Sequence, residues 1–395
     1  MNILSHDPQT FSNLLRTASE FLEQFAYAIT PTVIEKLRRH CPDVNQDDIS
    51  AIIDICIHTN KAKQHEWFQE LQPWFFTEQT LMQCSEPSFA RHVVNKLDVN
   101  GHRFIESCTG AGMHSFSAMQ QGASDIITHE LDPFIAYLAT VNATLHDYTL
   151  IPLIKDGALA DPTSKDIFWA DPSRRLDGKH RRSMTGYYSP DIDILIKKAE
   201  QSKRGGIKIA PGERIEGEYT REFLGFGREC REQILWFNTE FKDGTVTLID
   251  KNKTYVPQKI EAIPTLIPFE SISQYRYLLE PHAALIRGAL SANYAESSIA
   301  VFDRNIAYGI TNEKQDEDWF THFEILHAEP FSRRKLQAFL ESQGWNRNTE
   351  IKKRGFPMEP DELRKQLKFS NGEESGVIVL TRFNDEHVMI LCKRA

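Results

Sequence analysis

Residues 103–112 (Arg-Phe-Ile-Glu-Ser-Cys-Thr-Gly-Ala-Gly) limit what this chain can fold into more than any other stretch. Phe104-Ile105 reads as the end of a buried strand, and Glu106 is either its last residue or the first of the loop. Thr109-Gly110-Ala111-Gly112 then predicts a tight turn into a helix that starts near Met113. Glycine belongs where the backbone takes a positive φ, or where a ligand lies against the main chain with no Cβ between them. Strand, glycine turn and helix in that order make the first crossover of an open α/β sheet, whose ligand crevice lies at the carboxyl ends of the strands.

This is not the dinucleotide fingerprint, which needs a third glycine and a turn that admits a pyrophosphate. The third position here is Ser115, and Glu106 sits four residues before Gly110. A carboxylate there repels phosphate but accepts hydrogen bonds from an ammonium or a hydroxyl. That suits S-adenosylmethionine, which carries an amino acid and a ribose and no phosphate. Acids recur at the strand ends that follow. Residues 124–129 read as a second strand closed by Glu130, placed for the two ribose hydroxyls. Residues 133–145 have apolar side chains at helical spacing behind Pro133. Residues 150–154 read as a third strand, with Asp156 beyond it where an adenine amino group could be met. Residues 166–170 read as a fourth, running into Asp171-Pro172-Ser173-Arg174-Arg175. A solvated strand end accounts for any one of these acids. Four in succession point to one rim.

With those residues in place, the chain resembles the class I S-adenosylmethionine-dependent methyltransferases, and within them a bacterial branch with a THUMP-like domain at the C-terminus. The resemblance also takes in Gln83-Cys84-Ser85-Glu86, residues 206–212 (Gly-Ile-Lys-Ile-Ala-Pro-Gly) and Ile351-Lys352-Lys353-Arg354-Gly355. It implies cofactor binding by Glu106, Thr109, Gly110, Gly112, Glu130 and Asp156, with Ser85 and Arg91 on the preceding helix as weaker candidates. Asp171 and Pro172 would orient an acceptor amine, with Ser173 and Arg174 beside them. Amino-methylating members of the family carry Asp/Asn-Pro-Pro-aromatic, the aromatic ring stacking on a flipped base. Ser173 and Arg174 depart from that pattern and remove the ring. THUMP-type domains in related enzymes dock RNA, so Lys352, Lys353 and Arg354 become candidates for binding structured RNA, tRNA or rRNA.

The expected architecture is α/β: a helical N-terminal domain (1–84), a Rossmann-like methyltransferase domain (85–260), a linker with a small ferredoxin-like α/β unit (261–321) and a THUMP-like domain (322–395). Trp67, Leu71, Trp74, Phe75 and Phe76 are expected to pack the helical part onto the sheet. The net charge of −9 argues against a general nucleic-acid coat protein, yet residues 331–368 hold ten basic side chains against five acids. A second basic group, Lys179, His180, Arg181 and Arg182, follows the fourth strand. Six scattered cysteines without a Cys-x-x-Cys pair fit a reducing cytoplasm and argue against a metal site. No apolar run approaches the roughly 20 residues needed to span a bilayer, so no membrane partner is expected. Two rival functions stand beside RNA methylation: a non-catalytic RNA-binding protein on the same fold, and a methyltransferase acting on a small molecule or a protein.

Overall fold

Proline and short polar side chains set where the first helices begin. Asp7 accepts from the Thr10 amide at 3.0 Å and Pro8 opens α1 (Pro8–Glu23). Thr30 and Pro31 do the same for α2 (Pro31–His40). The computed structural model describes residues 3–395 apart from 43, 46, 47, 175–187 and 259–262, and apart from the side chains of residues 3 and 70. The basic group at 179–182 and Arg175 therefore lie outside the described residues.

The chain divides into two compact units, Met1–Tyr219 with Ile234–Phe241, and Thr220–Gln233 with Lys242–Ala395. These limits differ from the expected boundaries near 84, 260 and 321. The reason at the first boundary is packing. Phe11, Leu15, Leu22, Leu37 and Ile52 from α1, α2 and α3 (Asp48–Ala62) share one buried cluster with Leu138 and Val141 of the sheet-covering helix α7 (Pro133–Thr144). The aromatic cluster behaves as expected. Phe68, Leu71, Trp74 and Phe76 are buried with Ala111, Met113 and Phe116 beside the glycine turn. The Asn142 side chain accepts from the Phe75 amide at 2.8 Å and donates to its carbonyl at 3.0 Å.

After α4 (Glu78–Gln83) and α5 (Pro87–Leu97), the first unit alternates strand and helix: β1 (Arg103–Ser107), α6 (Met113–Gln120), β2 (Asp125–Glu130), α7, β3 (Leu153–Ile154), β4 (Ile167–Ala170), α8 (Ile192–Gln201) and β5 (Arg204–Ile209). The strands are parallel in the order β3-β2-β1-β4-β5. Chain order reverses between β1 and β4, which is where such sheets open a crevice. At the opposite end of β1, Arg103 grips Asp166 with two hydrogen bonds of 2.8 and 2.7 Å and lowers that carboxyl to about 2. The expected third strand is shorter than read: only Leu153–Ile154 pair, with both side chains exposed.

The second unit opens with β6 (Thr220–Phe226) and the start of β7 (Glu229–Phe237), then β8 (Thr245–Leu248) and β9 (Lys253–Tyr255). β6 runs parallel to β8, and β8 antiparallel to β9. A six-stranded sheet follows, in the order β11-β10-β12-β15-β14-β13. Its strands are β10 (Tyr277–Pro281), β11 (Gly309–Thr311), β12 (Phe320–Pro330), β13 (Glu350–Lys353), β14 (Val377–Phe383) and β15 (Glu386–Arg394). Helices α9 (Ala283–Arg287), α10 (Leu290–Glu296), α11 (Arg333–Gln343) and α12 (Pro360–Gln366) connect them. Successive residues divide between two cores. Val377, Val379, Val388 and Ile390 join Phe302 and Phe323, while Ile378, Leu380, Met389 and Leu391 join Trp345 and helix residues Leu336 and Leu363.

Candidate active site

The glycine turn between β1 and α6 contains three left-handed residues within five: Cys108 at φ 70°, Gly110 at φ 54° and Gly112 at φ 88°. Glycine meets that demand at two of them. Strain of this kind in a non-glycine residue such as Cys108 persists only where its surroundings enforce it. The enforcement comes from β2: the amides of Cys108 and Thr109 both donate to the His129 carbonyl, at 3.1 and 3.0 Å.

Each expected cofactor residue has a defined place. Glu130 is half-exposed at the end of β2; Oε2 accepts from the Gly110 amide at 2.9 Å and Oε1 from the Asp132 amide at 3.1 Å. A carboxylate has about four lone-pair sites, so both oxygens retain capacity. Asp156 is exposed and caps the short turn after β3 by accepting from the Ala158 amide at 2.8 Å. Thr109 uses its hydroxyl on the His129 carbonyl at 3.0 Å, which makes it a tie between the turn and β2.

Glu106 differs from the expectation of an acid at the open rim. Alternation along β1 turns it beneath α6, where it is fully buried. Oε2 accepts from the Ser115 hydroxyl and from Thr128 Oγ1. Oε1 lies 3.7 Å from His114 Nδ1 and has no hydrogen-bond partner. Burial pushes the Glu106 carboxyl up to about 8, with the charges of Asp171 and Glu130 adding to the rise. Burial also holds His114 well below the usual imidazole range. The charges of Glu130 and Asp171 act on Glu106, which fits their places at the carboxyl ends of the neighbouring strands β2 and β4. Desolvation pushes the thiols of half-buried Cys108 and Cys230 up to about 12, which disfavours the thiolate in both.

Asp171 follows β4, one strand from the glycine turn, with its amide 3.4 Å from the Ser107 carbonyl. Its Oδ2 accepts from Lys208 Nζ at 2.9 Å, and the same ammonium donates to Ser85 Oγ at 3.0 Å. Pro172 is buried and Arg174 exposed. Ser173 and Ser189 exchange two backbone hydrogen bonds, of 3.0 and 2.9 Å, so the segment at 188–190 lies against the Asp-Pro turn. Tyr188 enters this way: its hydroxyl accepts from the Ala210 amide at 3.1 Å and its ring packs against the core around Ile105 and Ile207. Burial raises the Tyr188 phenol, and the charges of Arg174 and Asp171 also act on it.

Lys208 and Tyr188 are the residues that sequence reasoning missed. Lys208 had a signal, being the lone cation in the run Gly205-Gly206-Ile207-Lys208-Ile209. Tyr188 had none, because it stands well apart from the motif in the chain. Leu131, 67% exposed directly after Glu130, is a third, an apolar face beside the ribose-type acid. Among the described residues, Asp54, His58 and Glu78 bring ligand-type atoms within 4.8 Å of one another. Both His58 nitrogens are engaged there, Nδ1 with the Asp54 carbonyl at 2.9 Å and Nε2 with Lys61 at 3.1 Å, which reads as a hydrogen-bond network.

In the second unit, alternation divides the three cations expected to clamp RNA. Lys352 meets Glu280 at 2.7 Å and Glu350 at 3.1 Å. Arg354 lies 3.8 Å from Glu280 and over the Tyr308 ring. Lys353 points the other way and pairs with Glu359.

Residues 320–394 match the family described as THUMP domain-like. Two Mycobacterium tuberculosis proteins, from strains CDC 1551 / Oshkosh and ATCC 25618 / H37Rv, are each named an uncharacterized S-adenosylmethionine-dependent methyltransferase. Both are 24% identical over 322 residues, spanning 78% of this chain and 85% of their own. A provisionally named methyltransferase of Porphyromonas gingivalis W83, known from a crystal structure, aligns over 97% of this chain and 98% of its own, at a TM-score of 0.69 and 16% identity. At that identity the likeness is one of fold. No helix among the described residues is long and apolar enough to cross a membrane. The chain is thus similar to relatives named S-adenosylmethionine-dependent methyltransferases and shares its fold with a methyltransferase structure, and its C-terminal region is THUMP-like.

Proposed function

We propose that this chain transfers a methyl group from S-adenosylmethionine to a base amine of structured RNA, tRNA or rRNA. One observation carries the reading. Asp171 is anchored through Oδ2 by Lys208, while Oδ1 has no hydrogen bond among the described residues, one strand away from the glycine turn. When bound, the cofactor supplies an electrophilic methyl on a sulfonium. The chain's own work is to bind, orient and keep water out. Glu130, the Gly110–Gly112 backbone and Asp156 offer acceptors and close main-chain approach at the rim, with Leu131 as an apolar face. Glu106, buried behind the turn, braces it through Ser115 and Thr128. Asp171 Oδ1 and the Pro172 carbonyl accept an amine's two protons and leave its lone pair free. Asp171 is also the carboxylate within reach of the proton that the amine sheds.

The RNA part rests on the THUMP-like region and on the local excess of basic residues, and Tyr188 supplies an aromatic ring near the Asp-Pro turn. The test is transfer of labelled methyl groups to total RNA, total protein and a metabolite pool. Label in RNA alone supports the proposal, and label in either of the other pools assigns the acceptor there. Asp171→Ala is expected to abolish transfer while calorimetry still detects S-adenosylmethionine. Wild-type turnover in that variant would remove Asp171 from the mechanism.

A further inference from the structure

The second unit contains a cavity of 610 Å³. Its walls come from the turn between β6 and β7, the end of β10, and strands β12, β13 and β15. Four cations line it, Arg228, Lys352, Arg354 and Arg394, against two acidic side chains, Glu280 and Glu317. Lys352 and Arg354 share the single carboxylate of Glu280, at 2.7 and 3.8 Å. Arg394 is held by Glu350 at 2.7 Å from behind. Arg228 lines the cavity and makes no ion pair among the described residues. Its charge is felt by both histidines of the wall, adding to the burial that keeps them neutral.

Those histidines are fixed as neutral hydrogen-bonding groups. His282 Nε2 donates to the Gly227 carbonyl at 2.9 Å while its Nδ1 accepts from the Ala284 amide at 3.1 Å. His322 Nε2 accepts from the Gln315 amide at 2.9 Å. Neither offers a lone pair to a metal. An anion with several oxygens answers the arrangement: Arg228 presents a planar fork, and behind it Lys352, Arg354 and Arg394 share the two carboxylates of Glu280 and Glu350.

We infer that this cavity is a phosphate-binding site in which Arg228 is the principal contact. The inference deepens the RNA reading above and rests on it for the source of the phosphate. Arg228 lies outside residues 320–394, so the site joins the β6–β7 turn to the THUMP-like strands within the second unit.

The experiment titrates the full chain with inorganic phosphate and with a single-stranded RNA oligonucleotide at several salt concentrations, for wild type, Arg228→Ala and Arg228→Lys. Arg228 is exposed and makes no ion pair among the described residues, so its loss should leave the fold intact. We expect Arg228→Ala to weaken phosphate binding about tenfold or more and to reduce the salt slope for RNA by about one contact, with Arg228→Lys in between. Phosphate binding that depends on Arg228 in a chain that binds no RNA supports the site, moves its source to a small phosphorylated compound and removes the RNA reading. RNA binding with the same affinity and slope in Arg228→Ala overturns the site and leaves the RNA reading standing. No phosphate binding by the wild type also overturns it.

Discussion

Lys208 Nζ bridges Asp171 Oδ2 and Ser85 Oγ, at 2.9 and 3.0 Å, and so ties the residue beyond β4 to the start of α5 through a single ammonium on β5. The bridge makes Lys208 a positioning residue for the Asp-Pro turn. Lys208→Met is expected to lower kcat about a hundredfold while leaving S-adenosylmethionine affinity within a few-fold, since small displacements at a reacting centre cost that much. Lys208→Arg should recover part of the loss. Equal kcat in Lys208→Met and wild type would show that the turn holds itself.

Glu106 gives a pH signature. Its carboxyl titrates at about 8 in the folded chain against 4.5 in the ordinary range. The folded state therefore holds the proton more tightly between those values. Stability from this group is full below about 4.5 and falls as pH rises toward 8, by at most about 1.4 kcal/mol per pH unit. Glu106→Gln should flatten that slope in denaturant unfolding measured from pH 5 to 8. An unchanged slope in the variant would place the titration elsewhere.

Gly157 tests how closely the turn after β3 lies against the rim. A Cβ there would fall 2.2 Å from Ser107 Oγ and 3.3 Å from Cys108 Sγ. Gly157→Ala is expected to cost about 1–3 kcal/mol, as overpacked sites do, and to lower Tm by a few degrees. Adding Ser107→Ala should restore much of it. A Gly157→Ala chain with wild-type Tm would mean that the turn yields freely.

The basic strand end should behave as two separate faces. Lys352→Met is expected to weaken RNA binding at least several-fold and to flatten its salt dependence. Lys353→Glu, facing Glu359 just before α12, should change RNA affinity by no more than about twofold. Equal losses in a filter-binding titration would show that both side chains reach the same phosphates.

The sheet was readable because its signals are local: a glycine turn, Pro133 at a helix start, and an acid closing each strand. The hairpin over Asn384 was readable for the same reason, with Asn384 at φ 53° between β14 and β15. What escaped is what the third dimension decides. A sequence does not say which face of β1 carries Glu106, and the structure puts it under α6. It does not say that 188–190 returns to Ser173 and brings Tyr188 to the motif. Strand β6 was not singled out, although the turn it shares with β7 supplies Arg228. Lys352 and Lys353 look like one basic cluster when written side by side, and period two along a strand separates them.

The shared packing of α1, α3 and α7 bears on how this enzyme could be trimmed. A fragment starting at Ser85 would strip the cover from Leu138 and Val141 and leave Asn142 without the Phe75 main chain to which it bonds. Such a fragment should come out of the cell aggregated. The helical segment supplies one wall of the core beneath α7.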